Sequence, residues 1–137
     1  MPHTLTFAKV YQYPDRGIGI ELPATLRSGA LSVTLRAKFD PGSTFCVFRR
    51  DVGEKLGFDI ERGDPQWIGT VTGRFLTYGH EATLEILGVT TVATVFFAAD
   101  EHFVINVLGR VGLLDRVRLG LMDQDSLIYL SDYHDPA

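Results

Sequence analysis

LRAKFDPGSTFCVF, residues 35–48, joins two kinds of apolar pattern through a turn, and its reading decides the fold. Upstream, in LSVTLRAKF, Leu31, Val33, Leu35, Ala37 and Phe39 alternate with Ser32, Thr34, Arg36 and Lys38. A period of two predicts a strand with one buried face. Downstream, Phe45–Phe48 is a continuous apolar run, as expected of a strand covered on both faces. Between them Asp40, Pro41, Gly42 and Ser43 spell a good β-turn, with proline at its second position. Either the aspartate is presented on a functional loop, or FDPGST is only a tight turn in a β-protein.

The same period runs through the rest of the chain. Gly17–Leu26 reads as a strand, with Pro23 placing it at an edge or bulge, and Ser28-Gly29 as a hairpin turn. Trp67–Gly73 and Phe75–Leu87 form a long hairpin, and Val89–Ala98 is a strand rich in β-branched residues. Phe103–Leu108 is a further apolar strand, and Val117–Leu121 and Leu127–Leu130 make a last hairpin across MDQDS. Two short helices interrupt the strands. RRDVGEKLGF carries Asp51 as a cap with Glu54 three residues on, Val52 and Leu56 on one face, and Gly57 as a left-handed stop. Val111, Leu113, Leu114 and Val117 follow at helical spacing after Gly109. Residues 58–66 read as a loop and the tail SDYHDPA as loose. About eight strands and two short helices predict an all-β domain with a closed or nearly closed sheet.

The 137 residues fit a single domain over 1–137, with a core at about 17–130 and terminal extensions at 1–16 and 131–137. A formal net charge of −4, from 13 basic and 17 acidic side chains without a basic block, gives no support to nucleic-acid binding. Cys46 is the lone cysteine, so no internal disulfide is expected. MPHTLTFAKV lacks the layout of a signal peptide, and no apolar stretch reaches the ~20 residues of a membrane span. A cytoplasmic protein without a membrane partner is the expectation. His3, His80, His102 and His134 are scattered, and His80-Glu81 lacks zinc-binding spacing, so no metal is expected. Cys46 reads as a small buried hydrophobe, and Ser43 lacks a nucleophile elbow.

Three stretches, in order, resemble the retropepsin-like aspartic protease family: FDPGST with the helix ending in Leu-Gly, then WIGTVTGR, then VINVLGRVGLL. The resemblance covers roughly residues 17–130. It implies a retropepsin-like closed β-barrel, half of the acid protease fold, pairing as a two-fold homodimer. Asp40 would be catalytic, in an active-site loop with Pro41, Gly42, Ser43 and Thr44. Gly69, Thr70, Val71, Thr72, Gly73 and Arg74 would form a flap over the cleft, and Gly109-Arg110 a structural motif.

The implied activity is aspartic endopeptidase chemistry on an extended peptide or protein, without a cofactor. Two carboxylates held close together supply both base and acid, because like charges at short range do not both ionise. One chain carries one such loop, so the second aspartate comes from a second copy. In this family Ser43 would reach the outer carboxylate oxygen. Two positions depart from the pattern. Pro41 stands where the family has Thr or Ser, and it brings neither hydroxyl nor N–H. Thr44 stands where many viral members have an acid that pairs with the arginine; Arg110 would turn instead to Asp115, Asp51 or a carbonyl. Two alternatives follow: a catalytically impaired peptide-binding or dimerisation module of the same fold, or an unrelated small β-barrel whose FDPGST is a hairpin turn.

Overall fold

In the computed structural model, which describes residues 1–14 and 19–136, the chain is mostly β. Its strands are β1 (Lys9–Gln12), β2 (Glu21–Ser28), β3 (Leu31–Phe39), β4 (Val47–Phe48), β5 (Asp64–Thr70), β6 (Gly73–Ile86), β7 (Val89–Ala98), β8 (Val107–Leu108), β9 (Val117–Met122) and β10 (Leu127–Asp132). One helix, α1 (Arg50–Lys55), follows β4.

Seven strands form one sheet in the order β2-β3-β8-β4-β7-β6-β5, and a further β2–β6 pairing closes six of them into a ring of hydrogen bonds. Alternation explains why the ring has an inside. From Leu22 to Leu26 in β2 and from Ala82 to Ile86 in β6 every second residue is buried. Pro23 falls just before the stretch Ala24–Arg27 that pairs with β6, so its missing N–H removes no bond on that side. Phe48, Val95, Phe97 and Leu108 complete the centre of the core. The Gly17–Ile18 part of the expected first strand lies outside the described residues.

The first helix forms where expected, with Val52 and Leu56 buried on one face and Gly57 in the left-handed region at φ +86°. Its cap differs. Arg49 precedes the helix without a side-chain cap, and Asp51 instead holds Arg49 at 3.0 Å and Lys55 at 3.8 Å. Arg50 reaches both oxygens of Glu61 at 2.6 Å and the Ala99 carbonyl at 3.1 Å, tying the helix to the end of β7. The Glu61 carboxyl is lowered by that hydrogen bond.

Five other expectations are corrected. The second helix is absent: Val111 bridges Phe45, and only a short 3-10 turn spans Leu114–Arg116. Gly112, at φ +104°, breaks the helical path, and the preceding N–H groups are spent on the Asp40 loop. Of Phe103–Leu108 only Val107–Leu108 joins the sheet, because β8 is squeezed between β3 and β4. The tail is not loose at its start: Ser131 is buried, and Asp132 still pairs with Val117. Segment Lys9–Gln12, placed ahead of the core from sequence, pairs with β10 in a second sheet, β1-β10-β9. The loop at 58–66 is also shorter, since Asp64–Gln66 enter β5. Among the described residues no helix is long and apolar enough to cross a membrane.

Candidate functional site

Asp40 ends β3 and begins a turn. Its carbonyl accepts the Ser43 N–H at 3.1 Å, and its carboxylate Oδ1 accepts the Gly42 N–H at 2.9 Å. The turn does not close a hairpin, since β3 and the following β4 are separated by β8. A two-residue hairpin at Pro41-Gly42 is therefore not what this chain builds.

The stretch after β8 fixes the loop from below. Leu108 takes the Asp40 N–H at 2.9 Å. Arg110 N–H donates to the Ser43 carbonyl at 2.9 Å, and Val111 N–H donates to the Thr44 carbonyl at 2.8 Å. Gly109 N–H donates to the Cys46 sulfur at 3.3 Å. Gly109 permits this approach: a Cβ there would sit 2.3 Å from the Phe45 carbonyl oxygen. So the Gly-Arg pair acts on the loop through its backbone. The Arg110 side chain is exposed and makes no ion pair among the described residues. Asp115 instead accepts the Gly112 N–H at 2.9 Å.

Ser43 is also placed differently. Its hydroxyl donates to the Phe45 carbonyl at 2.7 Å rather than to Asp40. Pro41 and Thr44 are exposed.

Asp40 lines a cleft of about 500 Å³ with Gly42, Ser43 and Thr44. The facing wall is the β5–β6 hairpin, through Trp67, Ile68, Gly69, Thr70 and Phe75. Of the six residues expected in a flap, Gly69 and Thr70 therefore meet the Asp40 cleft. Val71 and Thr72 form the exposed turn, and Gly73 and Arg74 start β6 outside the lining. Arg74 stacks its guanidinium 4.6 Å from the centre of the Trp67 ring.

Sequence reasoning missed the apolar walls. Phe103 and Ile105 also line the cleft, and Phe103 stacks on Phe75 with ring centres 4.8 Å apart. Their only sequence signal was an apolar run that also fits a core strand.

The wall offered by β5 is a strand edge. The Leu76 carbonyl is spent on the β7 side, accepting the Ala99 N–H at 3.0 Å. Its cross-strand partner Trp67 is then in a pair that exchanges no hydrogen bonds, so its N–H and C=O point away from β6. The alternation repeats at Gly69, opposite Arg74. The Gln66 side-chain amide covers the Trp67 carbonyl at 3.1 Å. An extended peptide could replace it there and run along the edge.

Among the described residues no three His, Cys, Asp or Glu side chains converge as a metal site. His80 is half-buried, stacked 4.6 Å from Phe58, with Nε2 3.0 Å from the Ile60 carbonyl. Cys46 is fully buried, and burial pushes its thiol up to about 11. Since the thiolate is the reactive form, Ellman's reagent at pH 8 is expected to leave the folded protein unmodified and to titrate one thiol in denaturant. Rapid modification without denaturant would show that the loop above Cys46 opens.

A scan against protein-family models finds no match, and a search of curated proteins finds none either.

Proposed function

We propose that the protein is a retropepsin-like aspartic endopeptidase, acting as a homodimer on extended peptides. The observation that supports this most is the facing of Asp40 and the open edge of β5 across one cleft. In this reading the β5 edge and the apolar walls hold the substrate main chain extended. Asp40 and its counterpart from a second copy share a proton, one activating water while the other protonates the carbonyl oxygen. The exposed Val71-Thr72 turn closes over the peptide and excludes water.

The test is cleavage of an unfolded protein at micromolar enzyme, from acid to neutral pH, with the products mapped by mass spectrometry. Cuts flanked by apolar side chains are expected. No cuts at any pH, with the protein shown to be dimeric, would overturn the reading.

A second reading keeps the cleft and drops the chemistry, and the loop itself favours it. Pro41 has no N–H and the Ser43 hydroxyl is turned to Phe45, so Gly42 N–H is the one loop donor on the Asp40 carboxylate. A loosely held carboxylate is costly, since a misplacement near 1 Å loses about a hundredfold in rate. Pro41→Thr restores both missing groups. Under the peptidase reading it is expected to raise turnover by about tenfold or more, within the hundredfold that positioning can cost. Under the binding reading the wild type captures an extended apolar peptide intact.

A further inference from the structure

We propose that the Asp40–Pro41 peptide bond is self-cleaving, cut in acid by the side chain of Asp40 itself. The reaction needs one chain and one carboxylate, so it stands or falls apart from the peptidase reading.

The sequence holds three Asp-Pro bonds, at 40–41, 64–65 and 135–136. The proline nitrogen carries no N–H and belongs to a tertiary amide, so once protonated it can leave as a secondary amine. The aspartate carboxylate closes a five-membered ring on its own carbonyl carbon. An attack within one residue has no second reactant to recruit. What separates the three bonds is how the fold holds the reacting groups.

At Asp40 both groups are held by the residues just past the bond. Oδ1 accepts the Gly42 N–H at 2.9 Å, which folds the carboxylate back over its own downstream peptide. The carbonyl oxygen of the scissile bond accepts the Ser43 N–H at 3.1 Å. That donor sits where negative charge develops during attack. Pro41 is exposed, so solvent acid reaches the leaving nitrogen. Among the described residues Asp40 is the one ionisable side chain lining the cleft. The charged side chains next along the elements that hold the loop are Lys38 on β3, Arg49 after β4 and Arg110 after β8. All are cations, so none competes as a second carboxylate.

Asp64–Pro65 has the same chemistry without that arrangement. It opens β5, opposite Gly79 and Tyr78, where a strand sends its side chains out from the line of the backbone. Asp135–Pro136 has its carbonyl on Arg118 Nη1 at 2.7 Å, and its scission gives a separate, small mass loss.

A carboxylate oxygen of Asp40 donates an electron pair to the Asp40 carbonyl carbon, and a cyclic anhydride forms. The C–N pair departs to the Pro41 nitrogen, which takes a proton from solvent. Water then opens the anhydride and leaves two carboxyl groups on Asp40. The sum is hydrolysis of one peptide bond, with water as the only co-reactant. The pieces stay associated, because β2 and β3 pair with β6 and β8. Asp40 nevertheless loses the chain link that keeps it on Gly42, so the cut dismantles the loop.

The experiment holds the folded protein at the lowest pH at which its circular dichroism stays native, and follows intact mass over days. Fragments 1–40 and 41–137 are expected to form about tenfold faster, or more, than those from a cut at 64–65, within the reach of positioning. In denaturant the two rates should converge. The rate should not change with protein concentration, as for a reaction within one chain. Hydroxylamine should capture the anhydride and leave a hydroxamate on fragment 1–40. Pro41→Ala and Asp40→Glu, which enlarges the ring, should each slow the cut at 40–41 by about tenfold or more, with the cut at 64–65 unchanged.

Equal rates at 40–41 and 64–65 in the folded protein would overturn the inference, as would a 40–41 bond that stays intact. A rate that rises with protein concentration would do the same, since it assigns the cut to one copy acting on another. The two proposals fail separately. A chain that nicks itself, and before nicking cleaves no other protein, keeps this reaction and sinks the catalysis. A peptidase whose own 40–41 bond survives acid does the reverse.

Discussion

On the proposed peptidase reading, Asp40→Asn is expected to lower cleavage by about 10²–10⁴-fold, the range that a positioned acid or base contributes, with the fold unchanged. Asparagine has nearly the same shape, and its side-chain oxygen can still accept the Gly42 N–H that Asp40 takes at 2.9 Å. The Leu108 bond to the residue 40 N–H is a main-chain contact and is untouched. Stability should therefore stay within about 0.5 kcal/mol, as for substitutions that break no buried contact. A melting curve and a peptide assay on the same preparation check both halves.

The mixed protein gives a sharper reading. If each site uses one Asp40 from each copy, equal amounts of wild type and Asp40→Asn leave only about one quarter of randomly formed dimers intact. Activity per wild-type chain should then fall to roughly half that of wild type assayed alone. A chain that works alone would show no such loss. Unchanged cleavage by pure Asp40→Asn would assign the activity to another residue or to a contaminant.

The clearest strands were legible because the chain is half in and half out along them. Leu22, Ala24 and Leu26 in β2 show this, as do Ala82, Leu84 and Ile86 in β6. A period of two needs no knowledge of neighbours. The failures all come from tertiary demands. Val111–Val117 has helical spacing, but Gly112 and the bonds from Arg110 and Val111 to the loop break it into a β-bridge, a turn and one short 3-10 turn.

Phe103 and Ile105 read as strand residues in the sequence because an apolar run looks the same whether it lines a core or a cleft. The meeting of the Asp40 loop with Gly69 and Thr70 was anticipated only through the family likeness. Nothing in composition or spacing brings residues 40 and 69 together. The Ser43 hydroxyl was misplaced for a simpler reason: the Phe45 carbonyl is two residues away and needs a donor.

Gly109→Ala is expected to be the most destabilising single change near the site. The added methyl carbon would lie 2.3 Å from the Phe45 carbonyl oxygen and 2.7 Å from that of Ser43. Both are backbone atoms, so no side chain can swing away to make room. The segment 108–111 has to withdraw from the loop. It then strains or breaks the bonds from Arg110 N–H to Ser43, from Val111 N–H to Thr44 and from Gly109 N–H to the Cys46 sulfur. Overpacking a tight contact costs roughly 1–3 kcal/mol, and each bond left unmade adds about 1 kcal/mol. A total on the order of 3–5 kcal/mol is a large part of the ~5–15 kcal/mol that holds such a domain together. Chemical denaturation should show it directly. The loosened loop should also expose Cys46, so Ellman's reagent would react without denaturant.

Arg110→Ala is the control. Arg110 contributes its main-chain N–H to the loop while its side chain is exposed, so this change should cost no more than about 0.5 kcal/mol. Equal damage from the two substitutions would mean that the guanidinium, not the close backbone approach at Gly109, holds the aspartate loop in place.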